Sequence, residues 1–287
     1  AVQAAREVNT SIVHAGGSDS EHITRDKTLE AELEAAFMNA QFELHYQPKV
    51  NLLTREIYGA EALIRWQHPR QGFISPDIMV PIIERSQLLQ EITLWILNTA
   101  LNQSRLMRAR FPDFRIAVNI SPQLLGSPEL VALVTRALRI WDMDPQHLIL
   151  EITETSIMVN EDVAQQNLRQ LSDAGVLLSI DDFGTGYSSY SYLQRLPVQE
   201  MKIDRSFITN LSSDTKNQHL VRSMIQLGRD FNMNVLAEGI ETAEIQQQLI
   251  DMGCEYGQGF LISRPLPAEQ MIEWMDKTDW NRPNGKK

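Results

Sequence analysis

One cysteine, Cys254, occurs in the 287 residues. An intramolecular disulfide and a thiolate zinc cluster are therefore both excluded, and the lone thiol fits a reducing compartment. No apolar run approaches the roughly 20 residues needed to cross a bilayer. No basic segment followed by an apolar one opens the chain, so no secretory signal is expected. Basic residues are the minority charge: 26 Lys and Arg stand against 37 Asp and Glu, for a formal net charge of −11. A surface of that sign repels a long phosphate backbone, which argues against non-specific binding of DNA or RNA. A small anionic substrate is still allowed, because carboxylates that hold divalent cations present positive charge to a ligand. A glycine-rich strand-to-helix turn of the dinucleotide-binding kind is also missing.

What is present is a chain of single-domain size with 43% apolar residues, typical of a globular protein. Residues 1–27 are small and polar around Gly16-Gly17-Ser18-Asp19-Ser20 and read as a linker or the tail of an upstream domain. Residues 279–287 read as a C-terminal tail. Between them, in residues 28–278, a first helix is expected from the spacing of Leu29, Leu33, Ala36 and Phe37. Short β-rich runs then alternate with helical patterns. Strands are expected at Glu43–Val50, Ile57–Trp66, Arg115–Ile120, Leu148–Ile152, Leu177–Asp181, Glu200–Ile203, Asn234–Ala237 and within Tyr256–Leu261. Helices are expected at Pro76–Ser86, Glu91–Arg110, Pro128–Trp141, Asp162–Ala174, Asn217–Asn232, Glu244–Met252 and Ala268–Lys277. The rhythm predicts an α/β barrel of the (β/α)8 type, with an open doubly wound sheet as the structural alternative. Only Asn51–Glu56 separates the first two strands, too short for a helical crossover, so that pair is expected to be antiparallel.

Polar residues recur at the C-terminal ends of these strands. Glu61 lies in the second strand and Asn119 ends the third. Glu151 and Glu154 follow the fourth, Asp181-Asp182 the fifth, Asp204 the sixth, and Glu238 and Glu241 the seventh. Taken singly, a strand-end carboxylate is usually a helix cap or a solvated charge. In succession around one barrel mouth they point to a shared site, since that is where strand ends converge. Such carboxylates stay ionised only with a counter-charge. The all-oxygen set Glu61, Asn119, Glu151, Asp181 and Asp182 suits Mg²⁺, Mn²⁺ or Ca²⁺ rather than zinc.

These residues sit in stretches that resemble the EAL-domain cyclic-di-GMP phosphodiesterases, a family named for the triplet seen here as Glu61-Ala62-Leu63. The resemblance runs from about Leu29 to Met275. It rests on Tyr46-Gln47-Pro48-Lys49-Val50, Glu61-Ala62-Leu63-Ile64-Arg65-Trp66, Val118-Asn119-Ile120-Ser121, Glu151-Ile152-Thr153-Glu154, the run Asp181-Asp182-Phe183-Gly184-Thr185-Gly186-Tyr187-Ser188-Ser189, Lys202-Ile203-Asp204, Ala237-Glu238-Gly239-Ile240-Glu241 and Gly257-Gln258-Gly259. The nine-residue run is the most specific of these.

The resemblance implies a modified (β/α)8 TIM-like barrel with one antiparallel strand. It implies hydrolysis of cyclic-di-GMP to linear pGpG with two Mg²⁺ or Mn²⁺ ions, Ca²⁺ being inhibitory. By the same resemblance, Glu61, Asn119, Glu151 and Asp181 hold one metal, Asp181 bridges to a second, and Asp182 with Glu238 completes that site. Glu61, Lys202 and Glu238 are the catalytic candidates, Lys202 either deprotonating or orienting the attacking water. Gln47, Arg65, Asp204, Glu241 and Gln258 are candidate substrate or supporting contacts. Glu154, Phe183, Gly184, Thr185 and Gly186 are candidates for a loop that couples the metals to a homodimer. An upstream sensor or GGDEF domain is a further expectation. So is a cytoplasmic location, with no membrane contact by this domain even where the full-length protein is membrane-anchored. The functional alternative is a non-catalytic cyclic-di-GMP receptor domain, although no metal ligand or lysine of the motifs is missing here.

Overall fold

A computed structural model of the chain describes residues 27–158, 160–185 and 193–281. The expected linker at 1–27, all but Lys27, lies outside those residues, as do Gly186 and the tail beyond Asn281.

Two compact units are distinguished. In the smaller, formed by residues 27–43 and Arg65–Ile92, the expected first helix spans 27–38. Its Leu29, Leu33 and Ala36 are buried and Phe37 is half-buried, the stripe their spacing predicts. A short strand Gly72–Ile74 (β3) pairs antiparallel with the end of β2 (Ile57–His68), Trp66 opposite Ile74. The helix Pro76–Arg85 opens on proline, which costs no hydrogen bond at that position.

The larger unit, Leu44–Ile64 with residues 93–281, is the barrel. Its strands are β1 (Phe42–Asn51), the first part of β2, β4 (Arg115–Asn119), β5 (Leu148–Thr153), β6 (Leu177–Phe183), β7 (Glu200–Ile203), β8 (Asn234–Ala237) and β9 (Tyr256–Gly257). The pairing runs β1-β9-β8-β7-β6-β5-β4-β2 and closes through β1–β2. From β2 through β9 the barrel pairs are parallel, whereas β1 runs antiparallel to β9. The reversed first strand expected from the short Asn51–Glu56 connection is therefore present. A two-residue strand, β10 (Leu266–Pro267), adds to β1.

Alternation along the strands sorts the residues. Leu148 and Leu150, Leu178 and Ile180, and Met201 and Ile203 are buried apolar side chains. Each contributes about 1.5–3 kcal/mol by leaving water. The intervening positions carry Glu151, Ser179, Asp181, Glu200 and Lys202 and share the opposite face. The helix Thr215–Asp230 is capped by Asp214, which accepts from Lys216 N and Asn217 N. Its Gly228 allows close approach to the sheet, since a Cβ there would meet Val235 Cγ2 at 2.2 Å. The helix Glu161–Asp173 stops as expected, with Gly175 at φ +92° just beyond it.

Five helix starts differ from expectation by one or two residues, at Leu89, Leu130, Glu161, Thr215 and Ala243, and at one of them a capping signal misleads. The Ser127-Pro128-Glu129 signal predicts a start at Pro128, but the helix is Leu130–Ile140. Ser127 Oγ bonds the Glu129 carboxylate instead of capping a helix. Its neighbour Ser121 does cap, accepting from Leu124 N ahead of the short helix Pro122–Leu125.

Candidate functional site

Each barrel strand, or the residue just past its end, supplies one group to a single polar cluster: Gln47 (β1), Glu61 (β2), Asn119 (β4), Glu151 (β5), Asp181 (β6), Lys202 (β7), Glu238 (β8) and Gln258 (β9). Lys202 is at the centre. Its buried ammonium lies 2.7 Å from Glu238, 3.1 Å from Asp181, 3.2 Å from Glu151 and 3.4 Å from Glu61. Asn119 donates to Glu61 Oε1 at 2.7 Å. Gln258 donates to Glu61 Oε2 at 2.8 Å and to Gln47 Oε1 at 2.9 Å. Gln47 in turn donates to the Ser263 carbonyl.

The carboxylates fall into two overlapping trios, Glu61–Glu151–Asp181 and Asp181–Asp182–Glu238. Within each trio one oxygen per residue lies within 4.8 Å of the others, and Asp181 belongs to both. Adjacent residues of a regular strand point to opposite faces, so Asp181 and Asp182 meet only because β6 is irregular. The β6–β7 register shifts between Ile180 and Phe183, and Asp182 has φ +53°. This bulge turns the second carboxylate back to the side of the first.

Burial and crowding set the protonation. Glu151 is pushed up to about 8 by burial and by the neighbouring charge of Glu61, against the pull of Lys202 and Lys49. Asp182 is pushed up to about 6 by burial and by Asp181. Glu238 is raised mainly by burial. Glu61 is also buried, but Lys202, Lys49 and the amides of Gln258 and Asn119 hold it well below the usual range. Lys202 is likewise held charged against burial by Asp181, Glu151, Glu238 and Glu61. In the metal-free chain four carboxylates surround this one ammonium.

Other expected residues lie at measurable positions. Asp204 caps the helix Arg205–Thr209, accepting from Ser206 N at 3.0 Å, and its charge helps to raise Asp182. Glu241 is exposed ahead of the helix Ala243–Met252. Arg65 belongs to the smaller unit, its guanidinium 5.9 Å from the centre of the Phe73 ring. Glu154 accepts from Gly184 N at 3.4 Å, and its buried Oε1 has no partner among the described residues. Phe183 is buried, and Thr185 Oγ1 donates to the Asp182 carbonyl.

A deeper group was not singled out by sequence reasoning. Lys49 is fully buried between Glu151 (2.7 Å) and Glu200 (2.6 Å). Glu200 also accepts from Ser179 Oγ and from the Tyr58 hydroxyl. The signal was available: Gln47-x-Lys49 and Glu200-x-Lys202 each put both side chains on the face that carries the site.

The residues fit divalent metal. Six buried or half-buried carboxylates (Glu61, Glu151, Asp181, Asp182, Glu200, Glu238) face two ammonium groups (Lys49, Lys202), leaving four negative charges when all are ionised. Two divalent cations cancel that excess, and an all-oxygen donor set matches hard cations.

The EAL domain profile matches residues 30–265. The chain is 44% identical over 242 residues to the bifunctional diguanylate cyclase/cyclic di-GMP phosphodiesterase MucR of Pseudomonas aeruginosa, covering 84% of this chain and 35% of that protein. It is 38% identical over 253 residues to the cyclic di-GMP phosphodiesterase NbdA of the same organism, covering 88% and 32%. The chain thus spans about a third of the length of these curated relatives. Among solved structures, the PaMucR phosphodiesterase in complex with c-di-GMP superposes with a TM-score of 0.82 at 44% identity, covering 85% of this chain and 99% of that one. The EAL enzyme Bd1971, in its cAMP- and cyclic-di-GMP-bound form, gives 0.84 at 35% identity, covering 91% and 71%.

Proposed function

The chain belongs to the EAL domain family, and we propose that it hydrolyses cyclic-di-GMP to linear pGpG with two divalent cations, Mg²⁺ or Mn²⁺. The observation that carries this reading is the pair of carboxylate trios sharing Asp181. Hydrolysis adds one water across one P–O bond of the cyclic ring. The phosphorus gains the new oxygen, and the 3′ oxygen leaves with a proton. The cations supply neutralisation of the phosphate, a lowered pKa for water, and stabilisation of the attacking and leaving oxygens.

The chain's own residues do the rest. Glu61, Glu151 and Asp181, with Asn119, would hold one cation, and Asp181, Asp182 and Glu238 the other. Lys202, held charged among four carboxylates, orients the attacking water and offsets negative charge as it builds on the phosphate. The amides of Gln258 and Gln47 fix the Glu61 carboxylate by a relay of two hydrogen bonds, and contact of both amides with the ligand is part of the proposal. An upstream sensor or GGDEF domain and pairing of two such barrels are part of the same proposal.

The experiment is chromatography of cyclic-di-GMP incubated with the purified chain and Mn²⁺ or Mg²⁺, beside Glu61→Gln. Conversion to pGpG by the wild type alone supports the proposal. Tight binding without product makes the chain a receptor instead.

A further inference from the structure

We propose that Lys49 is a positioning residue that restricts Glu151 to one metal-facing oxygen and so tunes the site toward small octahedral cations. This rests on the metal-dependent reading above and deepens it. The buried Lys49 ammonium lies 2.7 Å from Glu151 Oε1, while Glu151 Oε2 is turned to the cluster, 3.2 Å from Lys202. The two oxygens of one ligand thus have separate duties.

Lys49 is itself anchored. Its second partner, Glu200 Oε1, is 2.6 Å away. That carboxylate is fixed by Ser179 Oγ at 3.0 Å on Oε1 and by the Tyr58 hydroxyl at 2.9 Å on Oε2. Strands β1, β2, β5, β6 and β7 therefore hold one bonded array beneath the cluster. Swinging Glu151 to present both oxygens breaks a charge-assisted bond in a site with no exposure to solvent at either side chain.

The consequence is selective. Ca²⁺ takes six to eight oxygens and readily accepts a carboxylate through both, whereas Mg²⁺ requires near-octahedral geometry with one oxygen per ligand group. Mn²⁺ shares the octahedral preference. A Glu151 that offers one oxygen disfavours the larger ion.

The test is calorimetric titration of the chain with Mn²⁺ and separately with Ca²⁺, for the wild type and for the double variant Lys49→Met with Glu200→Gln. The pair is removed together so that no buried charge is left alone. Glu200→Gln alone, which keeps Lys49 on Glu151, is the control. The double variant is expected to lose Mn²⁺ affinity by on the order of ten-fold and to lose less for Ca²⁺ or gain. The preference for Mn²⁺ then shrinks, while the control keeps the wild-type preference. General loosening of the fold lowers both affinities together. An unchanged preference in a double variant that still binds Mn²⁺ overturns the inference alone; a wild type that binds neither ion overturns the metal reading beneath it. Should the double variant fail to fold, a crystal structure of the wild type with Mn²⁺ decides. Lys49 still on Oε1 with Glu151 binding through one oxygen supports the inference, and a two-oxygen Glu151 overturns it.

Discussion

Asp181 and Asp182 are neighbours in a strand and yet offer carboxylates to the same cluster, because Asp182 adopts φ +53° at a shift in the β6–β7 register. The left-handed turn is the backbone feature that lets one dipeptide serve both trios.

That geometry separates ligand from fold. Asn tolerates the left-handed region about as well as Asp, so Asp182→Asn is expected to melt no lower than the wild type in metal-free buffer, and above pH 6 somewhat higher because a crowded, half-buried charge is removed. Turnover is expected to fall by about 100-fold or more, the scale of losing one electrostatic stabiliser of a transition state. Thermal melts beside steady-state rates check this. Asp182→Val, β-branched and disfavoured at positive φ, is expected to lose stability as well.

Lys202→Met removes the central cation from among four carboxylates. In chelator, stability is expected to fall by about 3–5 kcal/mol, the cost of breaking a buried charged pair from one side. Mn²⁺ is expected to restore much of the stability by replacing the lost positive charge, but not the turnover. Denaturant melts with and without Mn²⁺, beside rates, separate the two roles.

The raised carboxylates give a pH dependence of definite sign. Glu151 titrates near 8 in the folded chain, against 4.5 for the ordinary group. Between those values the folded state binds more protons than the unfolded state, so metal-free stability is expected to fall as pH rises from about 5 to 8. Asp182, at about 6 against 3.8, adds to the same slope over a lower range. Saturating Mn²⁺ is expected to flatten or reverse it, since cations favour the ionised form. Melting temperature across that range, with and without Mn²⁺, is the measurement.

The same protons must leave on metal binding. Calorimetry of Mn²⁺ binding at pH 7 in buffers of different ionisation enthalpy is expected to show net proton release. The release should shrink as pH rises beyond 8, where Glu151 is already ionised.

The barrel was legible because period-two runs alternate with helical ones, and the reversed strand because six residues cannot carry a crossover. Strands β3 and β10 escaped because two or three residues at a sheet edge leave no period to read. The trios were legible as strand-end acids, but not the turn at Asp182, since positive φ leaves no mark when the residue is not glycine. Lys49 and Glu200 were missed for a different reason. Lysine and glutamate are ordinarily surface residues, and only the closed barrel shows that each is answered by an opposite charge inside it.

Anomalous diffraction at the manganese edge, from crystals of this chain soaked in Mn²⁺, tests the gathering of these acids most directly. Two peaks roughly 3.5–4 Å apart are expected, with Asp181 touching both, Glu61 and Glu151 on one and Asp182 on the other. A single peak, or none near Asp181 in a chain that retains its barrel, contradicts the account.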